Sequence, residues 1–189
     1  MTRRYIVGGG PLFDGRTLYE NGALLIADGS VAAVGALEPI RAHHEASFID
    51  ADGRLIVPGF LNAHTHLYSA LAAGLRPLGP TKAFGEILEN LWWPLDAAHD
   101  EESIYYSAMI GLMDHIRSGT TTLFDHHASM NCVCGSLEII ADAVREAGVR
   151  ATLCFEISER TGKRAVADQI EENLEFFEAH RHDARVEGT

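Results

Sequence analysis

Two imidazoles, His64 and His66, lie near the middle of the stretch "RLIVPGFLNAHTHLYSALAAGLRP", Arg54 to Pro77. Side chains on a strand alternate faces, so residues two apart point the same way. If Phe60 to His66 is extended, His64 and His66 share a face with Asn62 and Phe60 at the strand's C-terminal end. Two imidazole nitrogens so placed can reach one ion at ~2.0–2.1 Å. In parallel α/β folds that end of a strand is where active sites form. H-x-H also suits a pair of satisfied histidines near a sheet edge, and the residues alone leave both readings open.

Other residues carry weaker signals. His126 and His127 follow the strand-like Thr121–Phe124 and so stand where a substrate would meet the sheet. Alternation puts Thr122, Phe124 and His126 on one face, so one of the two histidines is expected to face inward. Asp125 could orient a neighbouring imidazole. Trp92 and Trp93 fall in the long segment after the first histidine strand, and an aromatic there, Trp93 in particular, could stack on a heterocyclic substrate. Helix packing is the competing use of both tryptophans. Cys132, Cys134 and Cys154 are too few and too odd in number for a disulfide framework, and C-x-C is not zinc-knuckle spacing.

These residues need elements to hold them. Residues 1–57 read as short strands: Arg4–Val7 runs into Gly8-Gly9-Gly10, Ala23–Ala27 and Val31–Val34 flank Asp28-Gly29, and Ser47–Asp50 and Leu55–Val57 flank Asp52-Gly53. Apolar runs around Asp-Gly are a strong hairpin signal, so a small antiparallel module is expected. From residue 58 the rhythm becomes β-α-β-α-β-α, which predicts a parallel sheet with crossover helices. Helices are predicted over 83–93, ended by Pro94, and over 101–118, capped by Asp100 and stopped at Gly119. Two more follow, over 136–147 with Ser136 as cap and over 164–180 with Val166, Ile170, Leu174 and Phe177 as its buried stripe. The acidic residues of "DQIEENLEFFEAH" would then form a solvated face.

The 189 residues carry a formal charge of −12, with 47% hydrophobic and 22% charged residues, a soluble globular profile. Such a surface repels phosphate backbones, so nucleic-acid binding is not expected. The N-terminus has no uninterrupted apolar core for a signal peptide, and every apolar run is shorter than the ~18 residues of a membrane span. A cytoplasmic protein without membrane attachment is expected.

"RLIVPGFLNAHTHLYSALAAGL" resembles the first metal-binding strand of the amidohydrolase superfamily, in its deaminase/chlorohydrolase branch. "PLFDGRTLYENGALLIADGSVAAVGALE" is similar to that branch's N-terminal β-sandwich strands. "LWWPLDAAHDEESIYYSAMIGLMDHIRSGTTTLFDHH" is similar to its helix and second barrel strand. With "DHHASMN" and "CFEISERTG", the resemblance is greatest to aminohydrolases linked by name to selenium metabolism.

The resemblance implies a TIM-like (β/α)8 metal-dependent hydrolase barrel, preceded by strands of a small β-sandwich domain at 1–57. Residues 58–189 would form about three β/α units of that barrel, fewer residues than the ~200 a complete barrel requires. His64 and His66 match the family's strand-1 ligands for a divalent metal, zinc first and iron second. The family's remaining ligands and its proton-transfer groups come from later strands, so no catalytic acid or base is assigned. The implied reaction is hydrolysis of a carbon–nitrogen bond other than a peptide bond, deaminating a small aminated heterocycle, in a homo-oligomeric enzyme. Halide hydrolysis is the alternative chemistry. The competing expectation is a non-catalytic, truncated chain that needs a missing C-terminal half.

Overall fold

The computed structural model describes residues 3–189. The chain divides into two compact units, Met1–Pro58 and Gly59–Thr189.

The first unit is a four-stranded sheet in the order β3-β2-β1-β4, built from β1 (Arg4–Phe13), β2 (Leu18–Ala27), β3 (Ser30–Ala36) and β4 (Ser47–Asp50). Asp28 and Gly29 both have positive φ, 52° and 79°, which gives the two-residue turn whose twist matches antiparallel strands. β2 and β3 accordingly pair from Ala27–Ser30 inwards. Ile6, Ala23 and Leu25 pack against Leu37 and Ile40 of α1 (Leu37–His43), a helix the sequence reading lacks.

The unit is not wholly antiparallel. β4 runs parallel to β1, and Ile56 makes a parallel bridge to Leu12. Asp52-Gly53 is therefore not a hairpin turn. The amides of Ala51 and Gly53 bond to the carbonyls of Gly8 and Gly9, so the chain jogs along β1 and resumes at Ile56. Gly10 permits that close path, because a Cβ there would overlap the carbonyl oxygen of Arg54.

The second unit carries a parallel sheet in the order β5-β6-β7-β8: β5 (Phe60–Thr65), β6 (Thr120–His127), β7 (Arg150–Phe155) and β8 (Val186–Gly188). A 3-10 turn (Leu67–Ala72) and a helical stretch follow β5. The stretch comprises α2 (Phe84–Ile87), a π-helical segment (Leu88–Trp92) and α3 (Trp93–Ala98). Then come α4 (Glu101–Arg117), α5 (Ser136–Ala147) and α6 (Lys163–His180), each joining two strands. This is the β/α repeat of a partial TIM-type barrel. Its main core lies between the sheet and the helices, with Leu112, Leu123, Leu137, Ile140, Val144 and Leu153 almost wholly buried. None of the described helices is long and apolar enough to cross a membrane.

α4 begins and ends as predicted. Asp100 accepts the Ser103 amide at 2.9 Å while Ser103 Oγ accepts the Asp100 amide, and Gly119 takes φ 80°. Three expectations need correction. Pro94 does not end a helix: the π-helical turn lets the Trp93 amide bond to Leu88 O, and Pro94 falls in the first turn of α3, where no N–H is needed. Ser136 does not cap α5. Gly135 holds that position at φ 79°, and Glu172 of α6 accepts the amides of Gly135 (2.6 Å) and Leu137 (2.9 Å).

The rotation of α6 is the third correction. Ile170, Leu174 and Phe177 stay 38–60% exposed, whereas Gln169, Glu172, Phe176 and His180 are buried. Each buried polar residue has a partner. Gln169 accepts the Ser158 amide, Glu172 caps α5, and His180 Nε2 lies 2.6 Å from Glu138 Oε2. These bonds fix the helix face, and an apolar period alone could not reveal them.

Candidate metal centre

β5 places the two histidines, with two irregularities in its register on β6, one between Phe60 and Leu61 and one between Asn62 and Thr65. Asn62 pairs with Leu123 and Thr65 with Asp125, so β5 spends one residue more than β6 across that step. The bulge breaks strict alternation. Asn62 therefore does not share the histidine face: its Nδ2 donates to Nε2 of His115 on α4 at 2.9 Å, and its Oδ1 accepts the His64 amide.

His64, within the bulge, and His66, just after it, converge. Their Nε2 atoms lie 3.0 Å apart and their rings are nearly perpendicular, at 87°. Two nitrogens on one tetrahedral metal, each at ~2.0–2.1 Å, stand about 3.3 Å apart, close to this spacing. His66 Nδ1 sits 2.9 Å from the backbone oxygen of His126. A carbonyl oxygen only accepts, so neutral His66 carries its proton on Nδ1, and its bare Nε2 is the acceptor in the contact with His64 Nε2. That is the tautomer a metal ligand needs, held by the kind of outer hydrogen bond that metal-binding histidines use.

β6 separates the other two candidates. His126 stands on the same face as Phe124, beside His66, with ring centroids 5.4 Å apart. Burial and the neighbouring His66 hold His126 below the usual histidine pKa. His127 points the other way and is fully buried between Tyr68 and Phe155, its Nε2 2.8 Å from Ser129 Oγ. Burial pushes His127 down to about 3. It does not line the cavity at the histidine pair.

That cavity, of about 440 Å³, is walled by His64, His66, Trp93, Asp96, His126 and Glu156 among others. Trp93 is 38% exposed, with the Arg160 guanidinium 5.7 Å from its ring centre. Asp96 and Arg160 are functional candidates that the sequence did not flag. Arg160 Nη1 bonds to Asp96 Oδ2 at 2.6 Å, the Asp96 side chain buried and that of Arg160 12% exposed, and Glu156 lies 3.3 Å from the same guanidinium. Burial lifts Asp96 to about 6 in spite of Arg160, and its second oxygen has no partner. "WWPLDAAHD" and "EISERTG" each read as ordinary charged segments, so nothing local signals the pair.

The Amidohydrolase family, as a family model, matches residues 55–189. The chain belongs to the amidohydrolase family. The 5'-deoxyadenosine deaminase of Methanobrevibacter smithii is 33% identical over 157 residues, covering 83% of this chain and 33% of that protein. This amidohydrolase chain thus spans about a third of the length of that curated relative. Among solved structures, E. coli guanine deaminase superposes with a TM-score of 0.75 at 22% identity, over 97% of this chain and 44% of its own. Atrazine chlorohydrolase from Arthrobacter aurescens, solved with zinc, superposes with a TM-score of 0.76 at 20% identity, over 97% and 45%. At these identities the two structures speak for the fold alone. In this amidohydrolase, no group of three or more His, Cys, Asp or Glu side chains among the described residues is arranged to hold a metal.

Proposed function

We propose that this chain carries part of the active site of a metal-dependent hydrolase that deaminates a small aminated heterocycle. The observation that carries the reading is the convergence of His64 and His66 Nε2 at 3.0 Å, with the His66 proton held on Nδ1 by His126 O. His64 and His66 are the proposed ligands of a divalent metal, zinc before iron. They are two of the three protein ligands a catalytic zinc takes. The chemistry a bound zinc supplies is acidification of a coordinated water, towards a pKa of ~7.

The chain's own residues have three further tasks. Trp93 offers an aromatic face on the wall of the same cavity, suited to stacking on a planar heterocycle. His126, held below the usual histidine pKa by burial and by His66, stands beside the ligand pair as a pocket residue. Asp96 lines that space and is ion-paired to Arg160 behind it, so polar substituents of a substrate would meet the pair there. His127 supports the wall from behind through Tyr68 and Phe155 rather than touching the substrate.

The matching deaminase relative supports an amino group as the leaving group. The test is ammonia release from 5'-deoxyadenosine, adenosine and guanine by a purified protein that carries this chain over the full length its relatives have, assayed before and after metal removal. Zinc-dependent release from at least one of them is expected. Chloride release from a chlorotriazine with no ammonia from any purine would replace this reading.

A further inference from the structure

We infer that Asp125 is the positioning residue for His66, gripping the chain immediately after it; this rests on reading His66 as a metal ligand. Asp125 sits on the helix-facing side of β6 between Leu123 and His127, both fully buried, and is itself only 2% exposed. A carboxylate among such neighbours is costly unless a hydrogen bond requires it. The bond is there: Asp125 Oδ1 accepts the backbone N–H of Leu67 at 2.6 Å, across 58 residues of sequence.

Leu67 is where the chain leaves β5 for the 3-10 turn, and His66 between them takes φ −138° and ψ 83°, in neither strand nor helix. Leu67 is 2% exposed, so its N–H would be an orphan in the core without Asp125. The next residue of β6, His126, accepts the ring N–H of His66 at 2.9 Å. Consecutive residues of one strand thus hold His66 at two points, its imidazole and its following peptide. Ser107 Oγ on α4 secures the same turn from the other side, 2.8 Å from both Leu67 O and Tyr68 O. Rotamer choice follows backbone angles, so freeing the Leu67 N–H lets the peptide turn and moves Nε2 off the ligand position. Metal sites tolerate little such movement.

The test compares zinc affinity of the purified protein and its variants by competition with a chromophoric chelator. Asp125→Asn keeps an acceptor for the Leu67 N–H and should stay within about 3-fold of the parent. Asp125→Ala removes it and should weaken zinc binding about 10–100-fold, the usual effect of losing an outer hydrogen-bond partner. Ile140→Ala, in the same core but on α5, should lower stability and leave zinc affinity within about 3-fold. If Asp125→Ala does not fold, Asp125→Ser, too short to reach the amide, carries the comparison.

Parent-like zinc affinity in a folded Asp125→Ala or Asp125→Ser overturns the inference. So does an Ile140→Ala variant that loses affinity as severely as Asp125→Ala. Should the parent bind no zinc, the ligand reading of His66 fails by itself. The grip of Asp125 is then read from the His66 tautomer in long-range 1H–15N spectra, expected as Nδ1–H in the parent and Asp125→Asn and as a mixture in Asp125→Ala. An unchanged tautomer in Asp125→Ala also overturns it.

Discussion

His66 gives its Nδ1 proton to the backbone oxygen of His126 at 2.9 Å, and its bare Nε2 then faces the Nε2 of His64 at 3.0 Å. One hydrogen bond to the neighbouring strand thereby sets the tautomer of a residue 60 positions earlier in the chain. The arrangement presents two lone pairs to a common point whenever His64 takes the same tautomer.

Replacing either imidazole should abolish that point. His64→Ala and His66→Ala are expected to lose zinc by more than the ~10–100-fold that follows loss of an outer partner. Metal analysis after dialysis against limiting zinc, with circular dichroism to confirm folding, checks this. Full zinc occupancy in His66→Ala would remove the histidine pair from the site.

Trp93 should matter for binding more than for the chemical step. Stacking of a base on an aromatic face is worth about 1–3 kcal/mol, so Trp93→Ala is expected to raise KM about 10-fold with kcat little changed. Steady-state kinetics on the best substrate decide it. A loss confined to kcat would show that Trp93 does not bind the substrate ring.

Stability should depend on pH through His127. Its folded pKa of about 3 lies below the ordinary 6.5, so between those values the unfolded chain binds the extra proton. Its stabilising contribution is complete above pH ~6.5 and is lost as pH falls towards 3. Burial raises Asp125 to about 7 and Asp96 to about 6, which acts the opposite way: there the folded chain holds the extra proton, and stability falls as pH rises from about 4 to 7. The parent's overall profile is therefore blunted. His127→Gln removes only the first effect. Going from pH 7 to pH 5, this variant should gain about 2 kcal/mol relative to the parent in urea denaturation. No relative gain would mean that buried His127 titrates normally.

Glu172 should prove a capping residue supplied from another helix. Glu172→Ala strands the amides of Gly135 and Leu137 at the start of α5. A loss of about 2 kcal/mol is expected, and Glu172→Gln, with one acceptor left, should fall between. Parallel denaturation curves with unshifted midpoints would show that water caps α5 equally well.

The parts of this fold that were legible rest on neighbours in sequence. Asp28-Gly29 can adopt positive φ at both positions, so the β2–β3 hairpin was readable. Asp100 and Gly119 bracket α4 by local hydrogen bonding and backbone freedom. Asp52-Gly53 carried the same turn chemistry and misled, because which strand accepts the amides around it is settled by β1, over forty residues earlier. The α6 stripe misled for a related reason. Period locates an apolar face, but Gln169, Glu172 and His180 had partners on other elements that turned a different face inward.

For the site, the sequence by itself determined that two imidazoles end a strand ahead of a parallel β/α array, since residue type, spacing and strand geometry are local properties. Only the tertiary structure decided that a bulge sends Asn62 to His115 while His64 and His66 converge. It also put His126, and not His127, on the cavity wall and joined Asp96 to Arg160. Those outcomes depend on which strand lies beside which and on where water is excluded. Both are set by burial and hydrogen-bond satisfaction across the whole unit, which no short stretch of residues encodes.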